Sequence, residues 1–347
     1  MQTPTIQAPS RAPRALAGVK NLPQGSTQRF LLIGLLLLAC ALPFVVSNYR
    51  IFQLNMVFIT TMALLGLNLL TGYNGQISLG HGAFYAMGAY VTAILIDQFN
   101  VPYPIAIAVA GVACLGLGWG FGLPALRLEG IYLALATFAL GVCLPQILKY
   151  KGIEEWTGGV QGITLMKPEA PFGLPLSADQ WLYFFSFGVL LFLLWVAHNL
   201  ITSHTGAAIV AIRDNPLAAA AMGIDLARYK TTTFGISAMY TGVAGGLSAL
   251  TVQFVAPDSF NILVSAGFLV GIIVGGLASL SGAFYGALFL QFVPNLADQI
   301  SKAAPWAIYG TVLIAFVLLM PAGIAGSVHR FLRLSGTTPK TKPRTNP

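Results

Sequence analysis

The 347 residues carry only 8% charged side chains against 56% hydrophobic ones, and the mean hydropathy is +0.77. A water-soluble domain normally holds about a quarter charged residues, so the composition excludes a soluble globular protein and reads as an all-α polytopic membrane chain. The net charge of +8 sits mostly in the two tails and a few connections; this is the distribution of topology signals, not of a nucleic-acid-binding face, and no nucleic-acid partner is expected.

In chain order, residues 1–29 are polar, Pro-rich and basic and are expected to form a disordered tail. The first apolar run, Phe30 to Val46, lies too far from the start and is too long for a signal-peptide core, so it reads as a retained anchor. From 30 to 330 the apolar runs predict about ten transmembrane helices of about 20 residues. They fall near 30–48, 51–71, 78–97, 103–123, 130–150, 181–200, 231–252, 262–280, 282–299 and 305–327. Pro294 interrupts the ninth, which lies close behind the eighth, so that pair reads either as two crossings or as a broken or re-entrant helix. The Gly-rich start of 78–97 leaves the same choice open. Residues 331–347 form a basic tail. Cys40, Cys114 and Cys143 lie unclustered in apolar runs and are expected to be packing residues, with no disulfide framework and no metal site.

The basic residues set an orientation. Placing both termini in the cytoplasm leaves only Arg50, Lys149, Lys151, Lys167 and Lys302 of the 18 lysines and arginines on the outside. The outside then holds the long connection 150–179, with EEWTGGVQGI and several prolines. It either caps the outer mouth or receives an extracytoplasmic partner, or it is an inert surface loop. Charges near the spans are few. Asp97 and Asp298 fall at outer ends, and Glu129 beside Arg127 reads as a surface ion pair of little weight. A mid-membrane acidic relay of the kind proton-coupled carriers use is missing from the sequence.

A short echo links the two halves. GAFY occurs at Gly82–Tyr85 and at Gly282–Tyr285, each after a Gly-rich, Ser-Leu-containing run (GQISLGHGAFYAMGA and GGLASLSGAFYGA). This pattern suits a transporter built from two related halves, with no direction assigned to the repeat.

The connection 201–230, cytoplasmic in this orientation, carries helix signals that a simple turn would not need. Asp214-Asn215-Pro216 is a helix start, in which either polar side chain can cap and Pro suits the first position. Leu217 to Met222 is an Ala-rich helical run, and Gly223 is a stop. The short helix would present Leu217, Ala220, Ala221 and Ile224 to a groove in another protein, with Arg213 and Asp214 as ionic fixings. Lacking Trp, Phe or a Lys-rich face, it suits protein docking better than the lipid surface.

At the junction of the second and third spans, Asn68, Thr71, Asn74, Gln76, Ser78 and His81 cluster, with Tyr85 one turn on. Polar groups at this depth face a protein interior or a water-filled path. They read equally as path lining for a small zwitterion or as interhelical hydrogen-bond glue. His81 reads as a pH-sensitive gate or, more in keeping with such residues generally, as a backbone-bonded structural side chain.

Three stretches, GLNLLTGYNGQISLGHGAFYAMGAY (66–90), TGGVQGIT (157–164) and TGAAIVAIRDNPLAAAAMGID (205–225), resemble the branched-chain amino acid permeases of ABC importers, of LivM type. GLASLSGAFYGA (276–287) fits as well, and the likeness spans about residues 30 to 330. It implies that Arg213, Asp214, Asn215, Pro216, Leu217, Ala220 and Gly223 belong to the coupling helix that seats in an ATPase subunit. It also implies a second homologous permease, ABC ATPase subunits and a soluble periplasmic substrate-binding protein as partners, and a cell inner membrane as the location. The chain has no Gly-rich phosphate loop followed by Lys, so ATP is expected to be used by the partner subunits and no cofactor to be bound here. The expected function is translocation by alternating access, not enzymatic chemistry. The alternatives are a same-family permease for urea or short amides, and a gradient-driven transporter or channel.

Overall fold

The computed structural model describes residues 34, 38–128, 130–171, 175–300, 302 and 304–334. The N-terminal tail, most of the basic C-terminal tail, part of the first predicted span and Glu129 lie outside them. The chain forms two units, 1–45, helical over 38–45, and 46–347.

The second unit is almost wholly helical. Helix α1 (Asn48–Leu67) runs into a π-helical turn, Asn68–Tyr73, and is followed by α2 (His81–Asp97), α3 (Tyr103–Ala125) and α4 (Ile131–Leu148). Next come α5 (Ala178–Thr202), α6 (His204–Asp214), α7 (Pro216–Ala221) and α8 (Leu226–Val252). The chain ends with α9 (Ile262–Gly275), α10 (Leu280–Ile300), α11 (Pro305–Leu319) and α12 (Gly323–Leu334). Among the described residues seven helices are long and apolar enough to cross a membrane. Helices α2 and α11, of 17 and 15 residues, fall short of the about 20 that a full crossing takes.

Several elements depart from the sequence expectation. Pro294 does not interrupt α10, which is continuous through it. The tenth run is broken at Met320–Ala322, and α12 starts afresh at Gly323. The stretch Asn74–Gly80 is non-helical and buried at Asn74, Gln76, Ser78 and Gly80, so α2 begins inside the bundle. Leu79 N–H donates to Thr137 Oγ1 at 2.9 Å, nearly two turns into α4, and Gly82 N–H to Ser265 Oγ at 2.8 Å. Irregular backbone at this depth is tolerated only where protein satisfies it, and here hydroxyls do so.

Helices α1 (with its π turn) and α8 form the centre, each 78% buried over its apolar window, whereas α5 is 22% buried and lies at the edge. Helix α8, though central, is among the least apolar of these helices. Helix α8 carries Thr231, Thr233, Thr241 and Thr251, whose hydroxyls each donate to the carbonyl four residues back. Without a hydrophobic drive between helices in lipid, association rests on close backbone contact through small residues. A Cβ on Gly245 would stand 1.9 Å from Tyr85 O, and one on Gly88 2.0 Å from Gly242 O, so α2 and α8 touch backbone to backbone. Gly245→Ala is therefore expected to destabilise the protein by about 1–3 kcal/mol through overpacking. Gly267→Ala, where nothing lies within 4 Å, should be neutral. Thermal denaturation of the detergent-solubilised protein separates the two.

The bundle has two ends. One gathers the π turn, the α5–α8 connection and the α9–α10 connection. The other gathers 149–171 and 253–261. There β1 (Ile163–Thr164) pairs antiparallel with β2 (Phe254–Val255), Ile163 opposite Val255. Thr157 Oγ1 donates to Leu148 O at 2.8 Å, and Lys149 pairs with Asp258. Gly158, Gly159 and Gly162 all have positive φ, and a Cβ on Gly162 would stand 2.4 Å from Val255 O. The TGGVQG stretch is thus a tight turn that clamps this loop onto the α8–α9 connection, where Gly alone fits without strain.

Candidate functional site

The α5–α8 connection is more ordered than the sequence suggests, because 204–214 is itself a helix. Ser203 ends α5 and starts α6. Its hydroxyl donates to Leu200 O at 2.7 Å and accepts from Gly206 N–H at 3.4 Å. Gly206, Ala208, Ile209 and Ile212 form the buried face of α6. That face rests on α5, on α8 and on the π turn.

Helix α7 is held by caps at both ends, which a six-residue helix needs because it cannot sustain itself. Of the two candidate caps, Asn215 does the work, its Oδ1 accepting from Ala218 N–H at 3.1 Å, with Pro216 at the first helical position. At the other end Gly223 N–H donates to Ala220 O and Ile224 N–H to Ala219 O, with Gly223 at φ +82°; this is a Schellman closure. Asp225 then caps α8 by accepting from Arg228 N–H at 3.1 Å. Asp225 was not singled out from the sequence, although an Asp two residues after a helix-stopping Gly is a readable start signal.

The outer face of α7 is free in this chain. Leu217 and Met222 are 84% and 83% exposed, and Ala218, Ala220 and Ala221 are exposed with them, while Ala219 is buried and Ile224 is partly buried. Met222 thus joins the predicted face and Ile224 turns partly inward. Asp214 is exposed and Arg213 is half-buried beside it. Arg213 Nε and Nη2 donate to Asp214 Oδ1 at 3.0 and 2.8 Å, and Nη1 donates to Gly72 O at 3.0 Å. The guanidinium therefore ties the connection back to the π turn of α1.

The polar cluster is brought together, and each member is placed. Asn68 Nδ2 donates to Ser279 O at 2.8 Å, and its Oδ1 accepts from Ala278 N–H at 2.9 Å. Thr71 Oγ1 donates to Gln76 O, and Gln76 Nε2 to Lys230 O at 3.3 Å. Asn74 is buried and its amide finds no hydrogen bond among the described residues. His81, 1% exposed, lies between Ser78 Oγ at 2.9 Å on Nδ1 and Ser237 Oγ at 2.6 Å on Nε2. Since the Ser237 hydroxyl donates to Gly66 O at 2.6 Å, it accepts from Nε2–H, and Ser78 donates to Nδ1. This network assigns the Nε2–H tautomer and joins α1, α2 and α8 through one imidazole. The Tyr85 ring lies edge-on to Phe260 and Phe268 at 6.0 and 5.4 Å. Nearby, an apolar cleft of about 120 Å³ opens between α2, α3 and α4, against Phe84, Leu117, Phe121 and Leu140. The partners Thr137, Ser237 and Ser265 were not found from the sequence, where they are single hydroxyls inside apolar runs.

The two GAFY copies also find a place. Both lie in the first turns of helices, α2 and α10, that start in the half of the bundle where α1 ends. Both helices run away from that end.

Residues 49–321 match the family model for the branched-chain amino acid transport system / permease component. The chain is 30% identical to the high-affinity branched-chain amino acid transport system permease protein LivM of Escherichia coli (strain K12), over 91% of this chain and 80% of that protein. It is 30% identical to the LivM of Salmonella typhimurium, over 89% of this chain and 78% of that protein. A probable branched-chain amino acid transport permease protein, LivH of Methanocaldococcus jannaschii, is 27% identical over 71% of this chain and 81% of its own length. No solved structure matches the chain.

Proposed function

Given that the chain belongs to the branched-chain amino acid permease family of ABC transporters and is a multi-pass inner-membrane protein, we propose that it carries branched-chain or related amino acids across that membrane by alternating access. It pairs with a second homologous permease, with ABC ATPase subunits and with a soluble periplasmic substrate-binding protein. ATP is used on the ATPases, and this chain holds no cofactor of its own. The observation that carries the reading is α7: a helix capped at both ends, with Leu217 and Met222 open to solvent, on a connection pinned to the membrane bundle through Arg213. Such a helix fits an apolar groove, and its ties give docking a route into the bundle. ATP binding closes the ATPases, α7 follows, and the path reopens on the other side. The path is proposed to run beside Asn68, Thr71, Gln76, Ser78, His81 and Tyr85. The hydrogen bonds of Asn68, Gln76 and His81 cross between elements, so passage along them requires helix movement to part those bonds.

The lysine and arginine bias supports placing α7 in the cytoplasm, with both termini. Single cysteines introduced at Ala220 and at Met166, which is 90% exposed at the opposite end, test this after Cys40, Cys114 and Cys143 are replaced. A membrane-impermeant maleimide should label position 220 only in inside-out vesicles and position 166 only in right-side-out ones. The reverse pattern would overturn the orientation. A cysteine at Leu217 should also cross-link to the ATPase subunit in the assembled transporter, and the lack of any such product would count against α7 as the docking element.

A further inference from the structure

The coupling reading leaves open how a push on α7 reaches the second half of the bundle, and here we propose that Asn68 is the positioning residue that passes it on. The inference rests on that reading and deepens it. Arg213 makes one bond out of its own loop, to Gly72 O at 3.0 Å. Gly72 lies in the π turn Asn68–Tyr73, and a Cβ there would stand 2.1 Å from Asn68 Oδ1 and 2.5 Å from Ala278 N. The turn is therefore closed directly onto the Asn68 amide and onto the α9–α10 connection. Asn68, 1% exposed, uses both ends of its amide on two successive residues of that connection, accepting from Ala278 N–H and donating to Ser279 O.

The connection it grips has a shape that only tight contacts maintain. Ala278 has φ +55°, an uncommon conformation for a residue with a Cβ, and Gly276 has φ +122°. Ser279 Oγ in turn accepts from Gly282 N–H in the first turn of α10, at 3.3 Å. A continuous set of bonded groups thus runs from α7 through Arg213, Gly72 and Asn68 to the start of α10, where the second GAFY copy begins. Gln76, bonded to Lys230 O, ties the entry to α2 and the first copy to the same region. A π turn carries one residue too many for an α-helix and can change register, which suits a place where a helix end must shift while its neighbours stay bonded. Asn68 makes the π turn and the α9–α10 connection move as one.

The test uses the complete transporter in proteoliposomes, with Asn68→Ala, Arg213→Gln and the double variant. Asn68→Ala is expected to lower uptake per ATP hydrolysed about 2- to 30-fold, the range for substitutions along a coupling route. The double variant should be no worse than the more severe single one, because both interrupt one route. Spin labels at Ala227, just beyond α7, and Ser281, both exposed, should keep their separation on ATP binding in the parent protein and lose that constancy in Asn68→Ala. Where Asn68→Ala does not reach the membrane, Asn68→Thr takes its place, since a helical Thr can satisfy itself on the preceding turn as Thr61 does on Val57 O. Effects that multiply in the double variant would show separate routes and overturn the role of Asn68. So would uncoupling by Arg213→Gln with Asn68→Ala fully active. If neither single variant changes uptake per ATP, the coupling reading itself falls, and this inference with it.

Discussion

Tryptophan in place of Ala220 is expected to abolish ATP-driven uptake while the protein still inserts at its normal level. Ala220 lies on the exposed side of α7, between Leu217 and Met222, and its methyl group makes a shallow surface there. An indole on this face has nothing to disturb within the chain, so folding should be unaffected. In a groove shaped for alanine it overpacks the interface at a cost of about 1–3 kcal/mol, which is roughly a 5- to 150-fold loss of affinity for the ATPase. Co-purification of the ATPase with the variant and transport in the same membranes check both halves of the expectation. Full transport by the Ala220→Trp variant would remove α7 as the docking face.

Alanine in place of Gly72 should be strongly damaging at this end of the bundle. Its Cβ would overlap both the Asn68 amide and the backbone nitrogen of Ala278. Moving Asn68 aside does not relieve the second clash, and it strands Ala278 N–H and Ser279 O in a buried place. Overpacking together with unpaired polar groups is worth about 2–5 kcal/mol. A lowered thermal midpoint and a loss of uptake are expected together. Gly120→Ala, with nothing within 4 Å of the added carbon, is the matched control and should change neither. Equal behaviour of the two variants would mean that the π turn and the α9–α10 connection are not pressed together as described.

How much of this was readable beforehand depends on the range of each signal. Asn215-Pro216 and Gly223 act on their own neighbours, and they mark the two ends of α7 where the caps are found. The apolar runs locate the helices to within a few residues for the same reason. The glycines of TGGVQG are legible only as a cluster, because what Gly162 packs against is Val255 and Ala256, about a hundred residues further on. Helix α6 escaped notice because its buried face of Gly206, Ala208, Ile209 and Ile212 is short and weakly apolar. The break at Met320–Ala322 falls at Pro321, a stop signal set within a run that stays apolar across it. The bonds of Asn68 are the furthest from sequence view. A polar residue near a predicted span end says that a partner exists, but the partners are backbone groups at 278 and 279, which leave no mark in residue type. The same holds for Arg213, whose obvious reading was an outward charge and whose guanidinium turns back to Gly72 O.

The most direct test of the central claim is uptake of labelled leucine by proteoliposomes that hold the complete transporter and its binding protein, with ATP supplied only on the side where α7 lies. Leucine should accumulate with ATP, stop without it, and stop with ATP present in the Ala220→Trp variant. Accumulation driven by a proton or sodium gradient in the absence of ATP, and unchanged by Ala220→Trp, would contradict the account.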